Sequence, residues 1–222
     1  MARLLIAFLL LMPLSAYAQT EFELPGGNEI RAYFNAPDSG ASAPAPLVII
    51  MGGGSGDARI ASNTYRSHGE AFADRGWAVA APVSPNGQSF WGDNAETVRQ
   101  LIALLKQRND IADGPVLLMG ISNGGISSLE IASNHPGDYL GVIAVPALAS
   151  SRSQLRALQN FPVYLRIGSE DRLGWGNRFD ATVDVLEGVG VRLDAKLLLG
   201  RGHTFPLDWD DLEPWLQSLQ ID

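Results

Sequence analysis

The feature that most constrains this chain is its rhythm: short apolar runs alternate with stretches of helical spacing along most of the sequence. Strand-like runs fall at 47–51 (LVIIM), 77–81, 115–119, 140–145, 163–167 and 192–199. Helical patterns lie between or after them, at 64–75, 96–108, 125–133, 153–159, 178–187 and 208–219. In the second of these, Val98, Leu101, Ile102 and Leu105 recur at three- and four-residue steps, which puts them on one helix face. Strands that are apolar throughout are buried on both sides, and helices between them supply the cover. The pattern therefore predicts an α/β fold with a mostly parallel central sheet and helices on both faces. The earlier run at 21–34 reads as one or two antiparallel edge strands. Pro214 marks a bend or break in the last helical pattern.

A chain of 222 residues is long enough for one well-buried domain and short for two. Residues 1–18 read as a signal peptide. Arg3 opens the segment, an apolar core at 4–12 is too short to span a bilayer, and Ala16-Tyr17-Ala18 forms a small-x-small cleavage site. The expected product is an exported domain over 19–222, periplasmic or extracellular and not held in a membrane. Cysteine is absent, which excludes disulfides, a thiol nucleophile and thiolate metal sites. A formal net charge of −8 argues against nucleic acid or an anionic membrane surface as a partner. The stretch 36–46, APDSGASAPAP, reads as a surface loop because Pro and Gly break both regular structures.

In open parallel sheets the chemistry collects where strands end at their carboxyl edges. The strand at 115–119 runs directly into Gly120-Ile121-Ser122-Asn123-Gly124-Gly125, and a helical pattern follows. This is G-x-S-x-G in a strand–turn–helix setting, where a sharp, strained turn exposes the serine oxygen. Gly120 and Gly124 fit that turn, since a side chain there would meet the neighbouring strand or helix. The plain alternative is a glycine-rich turn whose serine only caps a helix. Three histidines can be weighed as a base. His68 falls inside a helical pattern, and His135 stands in the turn SNHPGDY. His203 lies in the loop after the last strand, at the edge Ser122 would occupy. A carboxylate is expected in the loop after 163–167, where Asp171 is the choice and Glu170 the competitor. The resulting order is Ser122, Asp171, His203.

That order and the G-x-S-x-G turn are those of the α/β-hydrolases. From the glycine loop at Met51 to the histidine loop at His203, the chain resembles α/β-hydrolases of the dienelactone-hydrolase and esterase-depolymerase kind. The resemblance implies a nucleophile at Ser122, a general base at His203 and an orienting acid at Asp171. It implies oxyanion donors from the Asn123 N–H and from Gly53 or its neighbour, with no cofactor and no metal. Met51 stands where such proteins usually carry histidine. A nucleotide cradle at 51–56 is a poor rival, because the loop lacks the Lys-Ser/Thr ending and Asp57 breaks G-x-G-x-x-G. The expected substrate is a small-molecule or polymeric carboxylic ester. A serine peptidase on the same scaffold and a non-catalytic binding protein are the alternatives. Only 146–162 separates two strands where many relatives insert a lid, so an open cleft is expected. Phe90, Trp91 and Trp175 stand in loops at the same edge, as pocket walls or as loop anchors.

Overall fold

The computed structural model describes residues 19–37 and 44–219. The proposed signal peptide at 1–18 and the middle of the 36–46 loop lie outside the described residues. Eight strands form one sheet: β1 (Gln19–Glu23), β2 (Glu29–Asn35), β3 (Leu47–Met51), β4 (Ala78–Pro82), β5 (Val116–Gly120), β6 (Tyr139–Ala144), β7 (Pro162–Gly168) and β8 (Arg192–Leu198). Their spatial order is β1-β2-β4-β3-β5-β6-β7-β8. The first two strands are antiparallel, as expected for an edge, and β3 to β8 run parallel.

The helices are α1 (Ala58–Thr64), α2 (Glu70–Ala73), α3 (Asp93–Leu105), α4 (Asn123–Asn134), α5 (Arg152–Leu155), α6 (Phe179–Val189) and α7 (Trp209–Gln217). A π-helical turn over Tyr65–Gly69 joins α1 to α2, so the expected helix at 64–75 starts earlier than its apolar pattern suggests. Asp57 sets that start, because its carboxylate accepts the Ile60 N–H at 3.0 Å. Pro214 does not break α7, which continues through it to Gln217.

Alternation along the strands divides the core between two helical layers. Val48, Ile50, Leu117 and Met119 face Tyr65, Phe72, Leu212 and Trp215 of the α1–α2 and α7 side. Leu47, Ile49, Leu118 and Val142 face Val98, Leu101, Leu129 and Leu186 on the other. Successive side chains of a strand point to opposite faces, so apolar runs such as LVIIM feed both cores at once. The segment 145–161 contributes Leu148, Leu155, Leu158 and Phe161 to the core and forms no large lid.

One polar cluster ties α7 to the sheet. Arg166 of β7 is 3% exposed. Its Nε and Nη2 reach Asp211 Oδ2 at 2.8 and 2.7 Å, and Nη1 reaches Asp194 Oδ1 at 2.9 Å. The Tyr164 hydroxyl donates to the same Asp211 oxygen at 2.8 Å.

From β3 the chain steps to β4 on one side, and β5 then lies on the other. The carboxyl ends of β3 and β5 therefore meet at the switch point of the sheet, where diverging connections leave a crevice. The glycine loop after β3 and the Ser122 turn after β5 both open there.

Candidate active site

Ser122 links β5 to α4 with φ 57° and ψ −122°, a region that a residue with a side chain occupies only under strain. Its surroundings enforce the turn. Its N–H donates to the Pro146 carbonyl at 2.8 Å, and its carbonyl accepts the Ile126 N–H at 3.1 Å. The two motif glycines are required by contact: a Cβ on Gly120 would strike the Gly124 backbone, and one on Gly124 would strike the Met51 carbonyl. Met51, the last residue of β3, is fully buried in the core and serves packing.

The glycine loop lies directly on this turn. A Cβ on Gly53 would sit 3.0 Å from the Ser122 Cβ and 3.1 Å from the Ile121 carbonyl, so glycine lets this backbone lie against the turn where a side chain would be crowded. Asn123, the first residue of α4, donates from its side-chain amide to the Gly54 carbonyl at 3.2 Å, which fastens the loop to the turn. The backbone N–H of a first helical residue has no partner within its own helix. The helix start adds the positive end of its dipole beside Ser122.

The loops after β7 and β8 bring Asp171 and His203 together. His203 Nδ1 lies 2.7 Å from Asp171 Oδ2, and the Asp171 side chain is completely buried. The other carboxylate oxygen accepts the Leu173 N–H at 2.7 Å. Glu170 is exposed to solvent, unlike its buried neighbour Asp171. Two backbone bonds join these loops, Ser169 N–H to Leu198 O at 2.9 Å and Glu170 N–H to Arg201 O at 2.8 Å. Trp175 packs edge-on against the His203 ring, with centroids 4.9 Å apart and planes at 88°. With one face of the ring held by indole and Nδ1 held by a carboxylate, the imidazole is fixed in both orientation and tautomer.

Ser122 and His203 line a single cavity of about 790 Å³, whose other walls include Ile60, Ile121, Leu173 and Phe205. The Ser122 hydroxyl closes no hydrogen bond among the described residues; serine and imidazole share the cavity without touching through one. Such bonds often tighten only when substrate arrives. Among the described residues, no group of three or more His, Cys, Asp or Glu side chains is placed to hold a metal ion.

The remaining sequence candidates separate cleanly. His135 is exposed in its turn. Phe90 is fully buried and is an anchor, while Trp91 is 41% exposed and lies beyond the glycine loop in a second cavity, not in the one holding Ser122. His68, which the sequence places only inside a helical pattern, is buried and lines the Ser122 cavity. Its Nδ1 lies 2.6 Å from Ser67 Oγ, whereas Nε2 is buried with no partner among the described residues. Burial lowers its pKa from the ordinary histidine value, against the opposing pull of the Phe205 and Thr64 backbones. Nothing in the sequence marks His68 for this place, which lies within the π turn over Tyr65–Gly69.

No family model matches this sequence, and no curated protein matches it. Solved structures do. An acetyl xylan esterase from Aspergillus awamori superposes with a TM-score of 0.67 at 14% identity, over 90% of this chain and 99% of that one. A dienelactone hydrolase-like promiscuous phosphotriesterase from metagenomic libraries gives 0.66 at 16% identity, over 91% and 95%. A thermostable esterase gives 0.63 at 15% identity over 82% of this chain, which spans only 54% of that protein. The chain has the α/β-hydrolase fold, and these neighbours on the fold are esterases and hydrolases.

Proposed function

We propose that this protein is an exported serine hydrolase that cleaves carboxylic esters through an acyl-enzyme. The observation that carries the reading is the Asp171–His203 hydrogen bond at 2.7 Å, made at the wall of the cavity that also holds strained Ser122. A proton held on Nδ1 by the carboxylate leaves Nε2 as the base. Nε2 takes the Ser122 proton as Oγ attacks the ester carbonyl, and a tetrahedral oxyanion forms. The Asn123 N–H and the glycine-loop N–H at Gly53 or Gly54 stabilise it; losing one such donor costs about 100- to 1,000-fold in turnover. Imidazolium then protonates the departing alkoxide. Water, deprotonated by the same nitrogen, attacks the acyl carbon, and the proton returns to Ser122 as the acid leaves. The apolar walls at Ile60, Ile121, Leu173 and Phe205 suit the acyl group. Export rests on the 1–18 leader.

Labelling with a fluorophosphonate, followed by peptide mapping, tests this reading. Modification is expected at Ser122 alone, with Ser122→Ala losing labelling and at least about 1,000-fold in ester turnover. Capture at another serine, or near-normal turnover in that variant, would overturn it.

A further inference from the structure

Beyond the glycine loop lies a second cavity of about 660 Å³, and Gly54 belongs to the walls of both cavities. Its lining is far less apolar than that of the first. Among the described residues no aliphatic side chain lines it; its side chains are mainly amides and hydroxyls, chiefly Asn86, Gln88, Asn94, Asn123 and Ser55, between glycines, with Trp91 as the one aromatic ring. Among the described residues Asp93 is the sole charged group in the lining, with no base beside it.

This wall is built firmly. Asn94 is 5% exposed, and its side-chain amide reaches Asn86 Oδ1 at 2.7 Å, the Ser89 carbonyl at 2.7 Å and Ser84 Oγ at 3.2 Å. Asn86 Oδ1 also accepts the Gln88 N–H at 3.0 Å, so its own amide hydrogens are left for a partner outside the loop. Ser89 Oγ is buried with no partner among the described residues. The loop is stitched to the glycine loop by Ser84 N–H to Gly56 O at 2.8 Å and Ser89 N–H to Ser55 O at 3.0 Å, and fully buried Phe90 anchors it. A preorganised wall of this kind loses little freedom on binding.

An apolar guest would strip water from these amides without replacing its hydrogen bonds, at a cost. An anion would meet Asp93 and find no cation. A ring with hydroxyls around its edge and C–H groups on its face satisfies both halves of the wall, hydroxyls to amides and C–H face to the Trp91 indole. We infer that this trough seats the alcohol part of the ester and that the alcohol is a neutral sugar. The inference rests on the serine-hydrolase reading and narrows its substrate to acylated carbohydrate.

Two acetates that differ only in their alcohol, methyl glucoside 6-acetate and ethyl acetate, test it by acetate release. The unaltered protein is expected to prefer the sugar ester in kcat/KM. Trp91→Ala should lower kcat/KM for the sugar ester about tenfold, chiefly through KM, and leave ethyl acetate within about twofold. Trp91→Phe should restore most of the loss. Preference for ethyl acetate, or a Trp91→Ala effect that is equal on both esters, overturns the sugar assignment while leaving hydrolysis at Ser122 standing. A protein that cleaves neither ester and resists the fluorophosphonate loses both readings.

Discussion

Asp171 and Asp211 invite comparison, because each carboxylate is drawn into short hydrogen bonds near the C-terminal end of the fold. Asp211 is held by Arg166 and Tyr164 at 2.7 to 2.8 Å. Its main partner cannot lose its charge, and Arg166 lines neither cavity described above. Asp171 is held by one backbone N–H and by an imidazole that faces open space beside a serine. The first carboxylate locks a helix onto a strand. The second fixes a group whose protonation is able to change. A buried carboxylate therefore signals function through the titratability of its partner and that partner's access to a cavity, more than through the strength of its bonds.

Substitution can separate the two. Asp171→Asn keeps shape but removes the acceptor that holds the proton on Nδ1, and ester turnover should fall about 10⁴-fold with little change in Tm. A loss under tenfold would erase the distinction. Asp211→Ala should do the opposite. Arg166 would stay buried with one main partner gone, lowering stability by about 2 kcal/mol in denaturant melts while kcat holds within about twofold. Burial pushes the Asp211 pKa up, but hydrogen bonds from Arg166 and Tyr164 and the guanidinium charge outweigh it and hold the carboxyl below its ordinary value. Its contribution is thus present above the ordinary carboxylate range and lost as pH falls through the depressed value, so the variant should melt with a flatter acid limb. A drop in kcat without a drop in stability would reverse the assignment.

His68 sharpens the same contrast more gently. Burial depresses its pKa, so the unfolded chain takes up its proton first, and stability present above about pH 6.5 is lost as pH falls below it. Replacing it with glutamine should narrow the Tm difference between pH 7.5 and 5.5 by about a degree or two. An unchanged difference would mean that the imidazole does not resist protonation.

The parts of this molecule that were legible in the sequence are those fixed by backbone requirements. Gly120 and Gly124 stand where any side chain would collide with main chain, and LVIIM is apolar throughout because both sheet faces are covered. Such demands act on residue type directly and leave a pattern. The choice of Asp171 over Glu170 depended on place in the order of strands, since both are acids in one loop. Their difference in burial arises only when the loops after β7 and β8 meet. The nearness of His68 to Ser122 and the polar trough around Trp91 were not legible. A π turn and a stitched loop leave no periodic trace, and amides read alike on any surface.

The stretch between β6 and β7 sinks Leu148, Leu155, Leu158 and Phe161 into the core and so supplies no lid over Ser122. On the proposed mechanism, an acyl group on that oxygen would rest in a cleft whose mouth stays open to water. Enclosure is what shields a reactive intermediate from hydrolysis. On that same mechanism, water at its full concentration would outcompete any dilute alcohol for the acyl carbon, so release of the free acid rather than transfer to a new acceptor is expected.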